Sequence, residues 1–367
     1  MFNTGSPVKG EAFIDRKKHL PLFRIFIENK QHFMIKAPRR FGKTSIIKHI
    51  FEYEGGHKYV YIDFKKSLSI KKIAYQIIDQ GYSHLGVEGF VKSVISSTKD
   101  AFLNFAKNLQ SIKLDGIGEI TIKELSDDTD EVSLFLHSLD TLNTIASKLQ
   151  TQIYFIADEF QDILILSDKQ ILDTMRATIQ HHENITYIFL GSIESIMTSI
   201  FEEKKSPFFH FAKIVELPLL DIEEVYLYAK TTFEAKNIKN PEAIKLILDV
   251  TKGHPDYTMQ ALQTLYFKVL AENIDTLDEP LVNEVIESTF CSNEAFIDEI
   301  ISNVKSKKHH LLVLSDIANQ KQTKLDSKTL YNVRVSLENM GLVKKVAIGT
   351  YIINDVFLEK TLRNDEG

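Results

Sequence analysis

Two short segments of the chain carry the side chains best suited to phosphate chemistry. The first is Ala37-Pro38-Arg39-Arg40-Phe41-Gly42-Lys43-Thr44-Ser45, which follows an apolar run and opens a stretch of helical spacing. A glycine lets backbone approach an anion closely, and the amides at a helix N-terminus point at it. In that context Pro38 to Ser45 are candidate nucleotide-binding residues. Lys43 would reach the β- and γ-phosphates, and the Thr44 hydroxyl would ligate Mg²⁺. Ala37 stands where such loops usually begin with glycine. The competing reading is a surface Gly-Lys-Thr turn with two arginines. The second segment, Ile153-Tyr154-Phe155-Ile156-Ala157-Asp158-Glu159, is an apolar strand ending in two acids, 115 residues beyond Lys43. In a parallel sheet both strands end at one edge, so the acids can face the phosphates. Asp158 would hold Mg²⁺, and Glu159 would activate the attacking water. Each segment alone has a plain structural explanation; together they imply ATP/ADP with Mg²⁺.

A third candidate is Ser192, one strand further along the same edge. Its hydroxyl would position water or sense the γ-phosphate; equally, Gly191-Ser192 would simply turn the strand into the next helix. Arg176 reads as a solvated or salt-bridged residue.

These residues need a scaffold. Strands are expected at His32–Lys36, Tyr59–Phe64, Ile153–Ala157 and Thr186–Leu190, each a short apolar run. Helices are expected at Thr44–Phe51, from a Ser67 cap to Gln80, at Phe90–Leu109, Glu131–Leu149 and Asp168–His182. A hairpin-like piece is expected at Ile112–Ile122. This alternation predicts an α/β fold, a P-loop NTPase with a parallel sheet flanked by helices. After Pro218 the pattern turns helical, over Asp221–Glu234, Pro241–Val250 and Pro255–Leu270. From about Ile300 short helices lead to strands Val343–Val346 and Thr350–Ile353 around Gly349.

The composition sets limits on function. With 367 residues, two or three domains are expected. An apolar fraction of 44% and a charged fraction of 26% exclude a disordered or low-complexity chain. The 44 Lys/Arg against 50 Asp/Glu give a net charge of −6, so a chain-wide polyanion binder is excluded. One cysteine, Cys291, can form neither an internal disulfide nor a Cys-based zinc site. No apolar run nears the ~20 residues that span a bilayer, and the N-terminus lacks a secretory layout. A cytoplasmic chain without membrane partners is the expectation.

In this arrangement the chain resembles the archaeal ATPase family of P-loop ATPases, related to the STAND and AAA+ groups. The resemblance rests on Gly5-Ser6-Pro7-Val8 with Phe13-Ile14-Asp15-Arg16, and on Pro38-Arg39-Arg40-Phe41-Gly42-Lys43-Thr44-Ser45. Further elements are Asp158-Glu159-Phe160-Gln161, Leu190-Gly191-Ser192, Lys252-Gly253-His254-Pro255 and Asp355-Val356-Phe357. It implies an ATPase core (1–218), an all-helical lid (219–295) and a C-terminal winged-helix domain (296–367). It also implies that Arg16 lies near the adenine and that His254 and Pro255 close the nucleotide from the lid. The plain reading of Gly253-His254-Pro255 is a break between helices, since proline is favoured in a first helical turn. One departure concerns chemistry: the family pattern near Ser206–Phe211 ends in arginine, and this chain has Phe211. An arginine finger can be worth about 10³–10⁵ in rate. Slow turnover is therefore implied unless Arg39, Arg40 or a partner supplies the charge.

Residues 300–367 hold eleven Lys/Arg against seven Asp/Glu, a net +4 against −10 for the rest of the chain. Asp326-Ser327 would cap a helix, Lys328–Met340, with Lys328 and Arg334 on it and Lys344-Lys345 at the hairpin. A winged helix on duplex DNA would use residues 321–345 in this way; one that latches the core shut would not need them. Two function classes follow. One is a nucleotide-dependent switch that hydrolyses ATP slowly and controls a protein partner through its lid and winged helix. The alternative is a DNA-binding ATPase resembling origin-recognition initiators. A nucleotide-binding scaffold without turnover is a third, weaker reading. The assembly state stays open, and oligomerisation is compatible with all three.

Overall fold

The computed structural model describes residues 2–10, 13, 14, 16, 19–86, 130–192 and 194–364. The helix expected at Phe90–Leu109 and the hairpin at Ile112–Ile122 lie outside these residues, as does Asp15. The first half of the chain runs α1 (Leu20–Glu28), β1 (Phe33–Lys36), α2 (Lys43–Lys48), β2 (Lys58–Asp63), α3 (Ile70–Ser83) and α4 (Glu131–Lys148). It continues through β3 (Ile153–Asp158), α5 (Ile163–Leu166), α6 (Gln170–Ile179), β4 (Ile185–Gly191), α7 (Glu194–Phe201) and β5 (Lys213–Glu216).

Among the described residues the five strands form one parallel sheet in the order β2-β3-β4-β1-β5. Alternate strand residues face opposite sides, and both sides are covered. Met34, Phe155, Ala157, Tyr187 and Phe189 pack with α3, α4 and α6. Phe33, Ile35, Tyr154, Ile156, Ile188 and Leu190 pack with α1 and α2. Burial on both faces is why these strands read as unbroken apolar runs instead of alternating ones. Strand β2 lies at an edge, and its exposed backbone is clamped by one side chain of α3. Tyr61 N donates to Gln80 Oε1 at 2.8 Å, and Gln80 Nε2 donates to the Tyr61 carbonyl at 2.9 Å.

Three local expectations need correction. The helix expected from Thr44 to Phe51 ends at Lys48 and continues as a wider π-helical turn over His49–Glu54. The imidazole of His49 stacks on Phe13 there, with centroids 4.4 Å apart. The cap of α3 is Ser69, not Ser67: Ser69 has extended backbone, and its hydroxyl accepts from Lys72 N at 3.2 Å. Ser67 instead donates to the Asp63 carbonyl and closes the turn after β2. Helix α6 is shorter at both ends than the expected Asp168–His182.

Beyond the sheet come α8 (Ile222–Glu234), α9 (Ile244–Thr251), α10 (Pro255–Glu272) and α11 (Glu279–Lys305). The chain then forms α12 (His310–Ala318), α13 (Ser327–Asn339), the hairpin β6 (Val343–Ala347) and β7 (Thr350–Ile353), and α14 (Val356–Asn364). The N-cap of α13 is Asp326, whose carboxylate accepts from Lys328 N and Thr329 N. Residue 295 lies within α11, which has 27 residues and serves two cores. Val282, Val285 and Ile286 pack with α8, α9 and α10. Ile297, Ile301 and Val304 pack with α12, α13 and the hairpin. Phe2 is fully buried in the first of these cores, against Phe233, Tyr228 and Tyr266.

At the foot of β1, His32 accepts a hydrogen bond from Tyr187 N on Nδ1 at 3.0 Å. Burial, aided by the nearby Arg176 charge, lowers its pKa to about 4. The unfolded imidazole titrates near 6.5, so below that pH the unfolded chain takes up a proton that the folded chain refuses. Stability is therefore present in full above pH 6.5 and is lost as pH falls toward 4. By pH 5 the loss from this group should be about 2 kcal/mol. Denaturant midpoints at pH 7 and pH 5 check this, since His32→Gln should lose less than wild type; an equal loss would rule it out.

Candidate active site

The segment after β1 closes into a loop whose left-handed residues are Arg40 (φ 64°) and Gly42 (φ 83°). Ala37 is not left-handed, so alanine fits where glycine is usual. Gly42 is the N-cap of α2, and Lys43 is that helix's first residue. The buried Lys43 Nζ donates to the carbonyls of Ala37 (2.8 Å) and Pro38 (2.9 Å), at the mouth of its own loop.

One edge of the sheet gathers the acids. Thr44 Oγ1 donates to Asp158 Oδ2 at 2.8 Å, and the Tyr61 hydroxyl donates to the same oxygen. Asp158 Oδ1 accepts from Glu159 N at 2.9 Å. Burial pushes the Asp158 carboxyl upward, against the hydrogen bonds from Tyr61 and Thr44 that stabilise its ionised form. Glu159, left-handed at φ 51°, presents Oε2 to the Ser192 hydroxyl (2.5 Å) and to Gln161 Nε2 (2.6 Å). Lys43, Thr44, Asp158, Glu159 and Ser192 thus converge, as their spacing in sequence suggested.

A cavity of about 790 Å³ opens over this cluster, within the size range of small-molecule sites. Arg39, Arg40, Gly42, Lys43, Thr44, Ser45, Lys65 and Glu159 line its floor, Thr4–Pro7 one wall, and Asp256, Gln260 and Gln263 of α10 the other. The Thr4–Pro7 segment is held at both ends. Phe2 sits in the helical core, and Thr4 Oγ1 donates to Gln263 Oε1 at 2.7 Å. At the far end Val8 N donates to Ser45 Oγ (3.2 Å) and Gly10 N to His49 Nδ1 (3.1 Å). A smaller cavity of about 120 Å³ adjoins, lined by Phe13, Ile14, Arg16, Phe41, Pro255 and Met259 among others.

The hard oxygen donors at Thr44 and Asp158 suit Mg²⁺, which keeps several waters and takes further oxygens from phosphate. Asp158 is an acid in a desolvated place beside a hydroxyl, and a cation there would relieve its burial cost. Among the described residues no three His, Cys, Asp or Glu side chains gather as a metal cluster. Mg²⁺ bound with a nucleotide needs no such cluster.

The remaining candidates are positioned around the loop rather than on the cavity floor. Arg16, buried and left-handed (φ 74°), donates to the Phe41 carbonyl (3.1 Å) and the Pro218 carbonyl (2.8 Å). It thus ties the loop to the segment leaving β5, and it lines the smaller cavity with Phe41 and Pro255. His254 is the buried N-cap of α10, its pKa lowered by burial, and its ring meets Phe41 edge-on at 5.1 Å. It stacks on Tyr257 (4.3 Å), which stacks on Phe357 (4.0 Å) and donates to Asp355 Oδ2 at 2.6 Å. An aromatic ladder therefore runs from the loop to the C-terminal helix. Arg40 makes a second link, 3.0 Å from Asp256 of α10 and with its guanidinium 4.6 Å from the Phe296 ring of α11. Pro38 and His254 line a third cavity, of about 260 Å³, against α11 and the C-terminal helices.

Phe211 does not face the loop. It stacks on His32 at 4.6 Å, at the opposite end of β1, and Arg176 lies 4.6 Å over its ring. Four strand residues separate that end from the loop, about 13 Å of chain. An arginine at 211 could not reach this site from the same chain. The C-terminal basic face is partly engaged as well. Lys344, read as a contact for DNA phosphate, is paired with Glu216 of β5 at 3.1 Å. Glu216 also binds Lys36 (3.0 Å), and the Ser195 hydroxyl of α7 donates to the Glu338 carbonyl of α13. Lys321, Lys324, Lys328 and Lys345 are exposed.

Tyr61, Lys65 and Phe2 had no site role in the sequence reading, and Gln161 entered it only as part of the Asp158–Gln161 resemblance. The position of Lys65, immediately beyond the end of an expected strand, was the sole local signal among them.

No family model and no curated protein matches the chain. Solved structures do. A Walker-type ATPase of Pyrococcus abyssi superposes with a TM-score of 0.66 at 16% identity, covering 99% of each chain. The ORC2 protein of Aeropyrum pernix in its ADPNP–ADP complexes gives 0.59 at 15% identity, covering 98% of this chain and 93% of that one. Its ADP form gives 0.55 at 16% identity, covering 97% and 96%. The chain thus has the fold of these proteins, a P-loop α/β fold in which a five-stranded parallel sheet flanked by helices is followed by further helices and a small hairpin.

Proposed function

We propose that this chain binds ATP and ADP with Mg²⁺, hydrolyses ATP slowly, and works as a nucleotide-dependent switch on a protein partner. The observation that carries the reading is the meeting of Thr44 with Asp158, beside Lys43 and Glu159, on the floor of one large cavity. In this reading Lys43 leaves the Ala37 and Pro38 carbonyls for the β- and γ-phosphates. Thr44 and Asp158 hold Mg²⁺, which supplies charge neutralisation to the phosphates. Ser192 and Gln161 orient the Glu159 carboxylate, which takes a proton from the attacking water. Arg16, Phe41 and Pro255 flank the nucleoside.

The switch reading draws on the links between loop and helices. We divide the chain into a core (1–218), a lid (219–295) and a winged helix (296–367), with α11 as a rigid joint between the last two. Phe41 and Arg40, next to the phosphates, touch His254, Asp256 and Phe296 directly. A shift of the loop on nucleotide binding would be felt in all three units.

The DNA-binding reading has one observation of its own, the exposed lysines 321, 324, 328 and 345 around α13 and the hairpin. The Lys344–Glu216 pair and the packing of α13 on α7 favour the latch instead, because they turn part of this face inward.

Equilibrium binding of ATP and ADP to wild type and Lys43→Ala, with and without duplex DNA, tests both readings. Wild type should bind nucleotide and Lys43→Ala should bind it at least about tenfold more weakly, the loss of a charge-assisted contact. Absence of binding by wild type would end the nucleotide reading. DNA affinity that falls steeply with salt would move the balance to the second reading.

A further inference from the structure

The charge that Phe211 lacks has a candidate source in the same chain. Lys65 follows β2, and β2 pairs with β3 so that Asp63 lies opposite Asp158 and Phe64 N donates to the Asp158 carbonyl at 2.9 Å. Lys65 therefore leaves the sheet two residues beyond the Asp63–Asp158 pair, at the edge where Glu159 also leaves it. The turn that carries it is fixed. Asp63 accepts from Lys66 N (3.1 Å), Ser67 Oγ donates to the Asp63 carbonyl (3.0 Å), and Lys66 Nζ is paired with Asp63 at 2.9 Å. Lys66 is thus neutralised locally. Lys65 makes no hydrogen bond or ion pair with any described residue, and it lines the large cavity together with Arg39, Lys43, Thr44 and Glu159.

We propose that Lys65 is a catalytic residue that places its ammonium on the terminal phosphate of ATP from within the chain, in the role an arginine finger fills elsewhere. This rests on the nucleotide reading above. In the step, the water oxygen bonds to the terminal phosphorus while its proton passes to Glu159. The bond from that phosphorus to the bridging oxygen breaks, and its electron pair leaves with ADP. The products are ADP, inorganic phosphate and a proton. Lys65 keeps its own protons throughout and stabilises charge on the terminal phosphate oxygens. A lysine does this as a point charge on a flexible stem, without the planar fork of arginine, which fits slow turnover. Lys65 lines the cavity, whereas position 211 lies at the other end of β1.

Lys65→Met and Lys65→Arg separate this role from a structural one. ADP lacks the terminal phosphate, so Lys65→Met should bind ADP as wild type does. It should bind ATP about tenfold more weakly, the size of one charge-assisted hydrogen bond. Turnover should fall about a hundredfold or more, within the scale set by transition-state cations. Lys65→Arg should restore the preference for ATP over ADP and most of the rate. Should wild type bind nucleotide while Lys65→Met keeps both its ATP preference and its rate within twofold, the assignment is wrong and the site stands. Should wild type bind neither nucleotide, the nucleotide reading falls, and Lys65 falls with it.

Discussion

Glu159→Gln is expected to keep ATP bound and to lower turnover by about 10²–10⁴-fold, the usual share of a positioned general base. The substitution is nearly isosteric, and its amide oxygen can still accept from Ser192 and Gln161, the two donors that hold the carboxylate now. What it loses is basicity, because an amide cannot take the proton of the attacking water. The prediction is therefore a change in kcat with little change in nucleotide affinity. Single-turnover hydrolysis alongside equilibrium binding measures both. A rate within twofold of wild type would remove Glu159 from the chemistry and leave it a structural partner of Ser192. The distinction from Lys43→Ala is sharp, since that variant should lose binding itself.

Gly253→Ala should destabilise the helical part of the chain by about 2–4 kcal/mol, from left-handed strain and overpacking combined. Gly253 has φ of 74°, and a Cβ there would sit 2.5 Å from the Leu220 carbonyl oxygen. That contact is with backbone, and it cannot be relieved by a side-chain rotation. The same backbone is held by the hydrogen bond from Leu220 N to the Gly253 carbonyl at 2.9 Å. Relief would have to come from moving the Gly253–Pro255 turn, which would carry His254 away from Phe41. Thermal unfolding should show the loss, and nucleotide affinity should fall with it. An unfolding midpoint equal to wild type would show that the turn is looser than its geometry implies.

How much of this was legible in the sequence depended on the range over which each feature is decided. The four strands with apolar runs were readable because parallel strands buried on both faces need apolar residues at every position. Strand β5 was not, since Lys213–Glu216 has a charge at each end and a largely exposed edge position. Helix α11 gave no single stripe, because its first half faces one core and its second half another. The cap of α3 was misplaced by two residues, because Ser67 and Ser69 both precede an apolar periodic stretch. Only the turn bond from Ser67 to Asp63 decides between them.

The chemistry divides in the same way. The sequence by itself picked out the 37–45 loop, the acid pair and the serine after β4 as candidates, because anion binding and proton transfer require those residue types beside strand ends. Ala37 in the loop also proved compatible, being outside the left-handed region. Only the tertiary structure decided who stands next to whom across long separations. It put Tyr61 on Asp158, Arg16 between Phe41 and Pro218, and Phe2 in the helical core. It sent Phe211 to the far end of β1 and engaged Lys344 with Glu216. A single hydrogen bond or ring contact leaves no periodic trace along the chain. Which distant residues meet is set by the order and register of the strands and by the packing of helices upon them.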